Sequence, residues 1–121
     1  MEADSSRDLI KRTRAFGVRV SKLVDAMPSC RSAEVVSTQL SRSAFSVGAN
    51  YRAAKRGRSR AEFIAKLGIV EEEADECGHW LQVIVDLKLM PKTRIESLAR
   101  EADELLAIVV ASIKTARGNN Q

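Results

Sequence analysis

The side chains best suited to chemistry gather in one stretch: Glu71, Glu72, Glu73, Asp75, Glu76, Cys77 and His79, the last being the only histidine of the chain. A metal or nucleophile site there would need its groups on one face of a helix. Residues two apart on a helix diverge by roughly 160°, so Cys77 and His79 are poorly placed to share an ion. Asp75 and His79 are four apart and suited to a hydrogen bond or salt bridge. Glu76 and His79 spell one Glu-x-x-His, but a dinuclear carboxylate bundle takes that motif from two helices and a glutamate from each of two others. A single histidine cannot supply the second copy. Cys30 and Cys77 lie far apart and form no Cys-x-x-Cys pattern, which suggests neither a zinc site nor a disulfide framework. With no complete catalytic constellation, metal set or cofactor motif, the chain is expected not to be an enzyme.

Charge gives a second kind of candidate. Arg52, Lys55, Arg56, Arg58 and Arg60 crowd one short segment, and Arg7, Lys11, Arg14 and Lys22 fall within a narrow arc of the first helical stretch. Clustered guanidinium and ammonium groups are what phosphate binding needs. A solvated helix end supplies them too, because cations near a helix C-terminus are favoured by about 0.3–1 kcal/mol each. Only Tyr51 interleaves the cluster, so backbone contact is expected over base stacking or sequence-specific recognition. Residues 1–60 carry 13 basic against 5 acidic side chains, and residues 61–121 carry 7 against 11. That asymmetry suits a nucleic-acid face, or two halves that attract one another.

The elements that must position these groups follow from hydrophobic period. Pro28 and Pro91 lie outside every long periodic stretch and mark loops. Leu9, Thr13, Phe16, Val20, Leu23 and Met27 alternate spacings of four and three, predicting a helix over 6–27. Val36, Leu40, Ser43, Val47, Asn50 and Ala54 do the same over 33–56. Phe63, Leu67, Val70, Ala74, Cys77, Leu81 and Ile84 define 60–87, and Ile95, Leu98, Ala102, Leu105, Val109 and Ser112 define 94–117. Gly57 suits a left-handed position ending the second helix, while Ser59 with Glu62 and Thr93 with Glu96 suggest capping boxes for the third and fourth. The whole chain, 1–121, is therefore expected to be one all-α domain, an antiparallel up-and-down four-helix bundle. Aromatic residues are only 4%, so its core must be aliphatic.

Gly17, Gly48, Gly68 and Gly78 fall inside these helices at a cost of about 1 kcal/mol each relative to alanine, which close packing would offset. The second helix is rich in small residues, and Phe45 projects from a different side than Val47. Phe45 and Ala49 thus mark a second buried side, best used as an oligomer interface. No apolar run approaches the roughly 18 residues of a membrane span, and the polar start shows no signal peptide. With two unpaired cysteines, a cytoplasmic location is expected.

The segments QLSRSAFSVGANY (39–51), RSRAEFIAKL (58–67) and EADECGHWL (73–81) resemble the four-helix-bundle proteins encoded in intervening sequences of bacterial large-subunit ribosomal RNA genes. The family's Gln-Leu pair, arginine, serine and asparagine fall on Gln39, Leu40, Arg42, Ser46 and Asn50. An acidic residue often follows the asparagine by three, where this chain has Ala53. From the residues themselves, Ser46 and Asn50, four apart, suggest a buried polar pair fixing helix register or an interhelical bond. The resemblance implies a cytoplasmic homopentamer without catalytic activity or cofactor. A related branch, the accessory protein of diversity-generating retroelements, engages nucleic acid and a reverse transcriptase. The expected function is a homo-oligomeric adaptor whose basic surface, Arg52, Lys55, Arg56, Arg58 and Arg60 with Arg7, Lys11 and Arg14, binds RNA or DNA backbone or a nucleoprotein partner. The alternative is a scaffold that binds only protein.

Overall fold

A computed structural model describes the backbone of residues 2–118 and the side chains of residues 8–118. Four helices follow one another: α1 Glu2–Asp25, α2 Arg31–Lys55, α3 Arg60–Asp86 and α4 Lys92–Gly118. They form an up-and-down bundle in which consecutive helices pack extensively and α1 meets α4 only sparsely. The predicted periodic stripes become the core. Phe16 and Val20 from α1, Leu40 and Val47 from α2, Leu67, Val70, Leu81 and Ile84 from α3, and Leu105 and Val109 from α4 are all sealed from solvent. Each such side chain contributes about 1.5–3 kcal/mol by leaving water. Thr13 enters this core because its Oγ1 donates to the carbonyls of Leu9 and Ile10, at 2.8 and 3.2 Å, which removes the penalty of an unpaired hydroxyl.

The helix ends separate correct expectations from wrong ones. Ser59 caps α3 as expected, accepting from the Glu62 N–H at 3.1 Å, while the Glu62 carboxylate accepts from the N–H of Arg58 at 2.8 Å. Gly57 is not left-handed, since no glycine among the described residues has positive φ. Instead α2 tightens at its end, with Arg56 and Gly57 donating to the carbonyls of Ala53 and Ala54. A Cβ on Gly57 would sit 3.1 Å from the Ala54 carbonyl oxygen, so a side chain there would crowd the end of α2. The left-handed position falls on Lys88, with φ 57°. There the N–H groups of Lys88 and Leu89 return to the carbonyls of Val85 and Ile84, each at 3.0 Å, closing α3 in a Schellman motif. The Thr93–Glu96 box is also corrected. Pro91 starts α4 two residues early, its carbonyl accepting from Arg94, so Thr93 lies within the first turn.

The glycines divide in the same way. α1 and α2 meet through Gly17 and Gly48: a Cβ on Gly48 would lie 3.3 Å from the Thr13 carbonyl oxygen, and one on Gly17 would lie 3.1 Å from Phe45 Cδ1. Gly68 and Gly78 on α3 face open space among the described residues. Close packing explains the first pair and not the second.

Candidate nucleic-acid interface and assembly face

The turn between α2 and α3 carries exposed cations because α2 ends in Arg52 and Lys55, and the link Arg56, Arg58, Arg60 adds three more. Lys55 leans over the Phe63 ring, with Nζ 5.5 Å from its centroid, which fixes the stem while leaving the ammonium at the surface. Arg60 is engaged within the chain. Arg52 points elsewhere. It joins Arg14 of α1 along a shallow cleft of about 150 Å³ whose floor includes Gly17, Gly48 and Ala49. The expected basic set is therefore split, with Lys55, Arg56, Arg58 and Arg60 at the turn and Arg14 with Arg52 along the α1/α2 groove. Lys11 is exposed on α1, one turn before Arg14. Arg7, named with them, has its side chain outside the described residues.

Phe45 borders the same groove, 52% exposed, and Val18 on α1 is 49% exposed. Ala49 is exposed one turn away, whereas Val47 is wholly buried. α2 thus has an apolar outer side besides its core side, which a lone bundle does not require.

The polar residues of α2 do two different things. Arg42 bridges to α3, its guanidinium 3.5 Å from Glu73 and 3.0 Å from Glu76, with Gln39 Oε1 3.5 Å away. Part of the acidic run is thereby spent inside the molecule. Asn50 Nδ2 donates to the Ser46 carbonyl and hydroxyl at 3.0 and 2.8 Å. That bond stays within α2, so the pair braces one helix and does not tie two together. Burial acts to raise the Glu76 carboxyl, but the hydrogen bond from Trp80 Nε1 and the charge of Arg42 hold it below the ordinary value.

The Cys77–His79 stretch offers little chemistry. Burial, reinforced by Glu73 and Glu76, pushes the Cys77 thiol up to about 12, leaving it protonated and walled in. His79 meets Trp80 edge-on at 4.8 Å and makes no hydrogen bond with Asp75. Among the described residues no group of histidine, cysteine and carboxylate side chains is arranged to hold a metal ion, and no helix is long and apolar enough to cross a membrane. Tyr51, which interleaves the basic cluster in sequence, is 4% exposed and packs within the core.

One polar feature had no sequence signal. Arg12 of α1 reaches across to α4, its Nε and Nη2 donating to the two oxygens of Glu101 at 3.1 and 2.7 Å, with Glu104 at 3.3 Å. The partners are separated by most of the chain and become neighbours only when the bundle closes.

An all-helical up-and-down bundle with a paired core and basic turns is the class of protein defined here. Residues 6–111 match the model of the 23S rRNA-intervening sequence protein family, and the chain belongs to that family. It is similar to a protein of unknown function from the S23 ribosomal protein family of Bacteroides thetaiotaomicron VPI-5482, known from a crystal structure. The two are 31% identical with a TM-score of 0.82, over 88% of this chain and 98% of the other. No curated protein shows significant similarity.

Proposed function

We propose that the protein is a non-enzymatic adaptor that assembles with copies of itself and holds nucleic-acid backbone, or a nucleoprotein such as a reverse transcriptase, on a basic surface. The observation that carries this is the α2/α3 turn, where exposed Lys55, Arg56 and Arg58 gather with Arg60 at one end of the bundle. Self-assembly is supported by half-exposed Phe45 bordering the α1/α2 groove and by half-exposed Val18 on α1, and the family resemblance suggests a pentamer in the cytoplasm. Repeating a modest basic patch around a ring would let weak phosphate contacts add by avidity.

The test is binding of single-stranded and duplex nucleic acid as a function of salt. Each neutralised phosphate contributes a slope of about −0.9 for duplex and about −0.7 for single strands. Replacing Arg56, Arg58 and Arg60 together by Gln should flatten that slope and weaken all sequences alike. Unchanged binding would make the turn a solvated helix end. The exposed apolar side of α2 would then favour a scaffold that binds only protein. Native mass spectrometry tests assembly separately: a stable monomer at micromolar concentration would refute it, and Phe45→Arg should dissociate the oligomer while leaving the helical spectrum intact.

A further inference from the structure

The seam between α1 and α4 carries an interrupted pattern. In an antiparallel helix pair, moving seven residues along one helix and seven back along the other restores the same juxtaposition. Arg12 faces Glu101 and Glu104. Two turns along, the equivalent positions are Arg19 on α1 and Arg94 and Ser97 on α4. Arg19 does meet Ser97, its Nη2 donating to Oγ at 2.7 Å, which confirms the register. Arg94 therefore stands where the lower layer has Glu101: a cation opposite a cation.

Lys22, one turn beyond Arg19, completes the group. Arg19, Lys22 and Arg94 line one cleft of about 240 Å³ with Ser97, Leu23 and Leu98. No carboxylate lines it, and none of the three cations has an ion pair among the described residues. Three like charges around an apolar floor repel one another more strongly than they would in open water. The layer below shows how the same two helices neutralise an arginine at this seam; here the counter-charge is left to come from outside.

We infer that this cleft is a phosphate site, in which the forks of Arg19 and Arg94 grip the oxyanion, Lys22 adds a point charge and Ser97 donates its hydroxyl proton. Guanidinium forks match a phosphate group bidentately. The hydroxyl is available to donate because it accepts from Arg19. Arg94 lies in the first turn of α4, at the positive end of its dipole. The cleft is at the opposite end of the bundle from the α2/α3 turn, and its ligand is independent of whether that turn binds nucleic acid. A free phosphate ion or monoester and a diester of a nucleic-acid backbone share this chemistry.

The experiment follows the backbone amides of Arg94 and Ser97 and the Arg19 Nε–H by NMR in the full chain. Inorganic phosphate is titrated against chloride at matched ionic strength, and a short single-stranded oligonucleotide without terminal phosphate forms a second arm. A saturable shift with phosphate, absent with chloride, is expected. Arg94→Gln should weaken it about tenfold, the loss of one charge-assisted hydrogen-bonding group. Arg94→Glu, which restores the pairing of the lower layer, should abolish it and raise the melting temperature. The oligonucleotide acting below the phosphate concentration identifies a backbone as the source, and the oligonucleotide leaving these signals still identifies a free phosphate or monoester. No saturable shift with either ligand, an equal shift with chloride, or undiminished binding by Arg94→Glu would overturn the assignment.

Discussion

Replacing Gly48 and Gly68 by alanine, one at a time, tests whether the α1/α2 approach is a true packing constraint. Both glycines sit inside long helices, and each change gains about 1 kcal/mol of helix propensity. At Gly68 an added Cβ meets nothing within 4 Å, so the gain survives almost whole, at about 0.5–1 kcal/mol. At Gly48 it would lie 3.3 Å from the Thr13 carbonyl oxygen, 3.4 Å from its carbon and 3.5 Å from Arg14 Cα. These are backbone atoms of α1, and relief requires moving the whole helix. Overpacking of that kind costs about 1–3 kcal/mol, which leaves Gly48→Ala destabilised by about 0–2 kcal/mol. Gly17→Ala should fall between the two, because its nearest neighbour is the ring of half-exposed Phe45, which can turn aside. Urea unfolding reads the differences, with native mass spectrometry holding the assembly state in view, since association shifts apparent stability. A gain for Gly48→Ala equal to that for Gly68→Ala would refute the packing constraint.

Lys88→Gly should stabilise the protein by about 1 kcal/mol in thermal unfolding, because Lys88 occupies the left-handed position at φ 57° that costs a side-chain-bearing residue about 1–2 kcal/mol. The Glu76 carboxyl should titrate below its ordinary 4.5 in NMR, and Arg42→Met should raise it. Because the folded value is depressed, its share of stability is complete above the unfolded value and is lost as pH falls through the folded one. A thiol reagent should label exposed Cys30 rapidly in the native protein and reach Cys77 only on unfolding, as counted by mass spectrometry.

The four helices were legible because both prolines fall between periodic stripes and each stripe has enough apolar positions to define a face. Their ends were less so. Residue type points to a left-handed Gly57 after α2, but α2 closes without one, and the left-handed residue is Lys88 after α3, where Leu89 and Met90 then pack against the core. Of four helical glycines, spacing could not say that Gly17 and Gly48 meet a neighbour while Gly68 and Gly78 do not, because that depends on which helix faces which. Phe45 was legible as outward-facing from its offset to Val47. The basic turn was legible as a cluster, but the divergence of Arg52 toward Arg14 was not, since it depends on rotation about α2. Pairings across the α1/α4 seam, such as Arg12 with Glu101, join residues too far apart in sequence for periodicity to link.

The sparse contact between α1 and α4 also bears on how the chain reaches its fold. Nearly all packing joins helices consecutive in sequence, so each helical hairpin can form without waiting for distant segments, and the entropic cost of closing a long loop falls on one weak seam alone. Chains dominated by such local contacts fold in microseconds to milliseconds. A bond such as Arg12–Glu101 should then form late, and weakening it by substitution should speed unfolding while leaving the folding rate nearly unchanged.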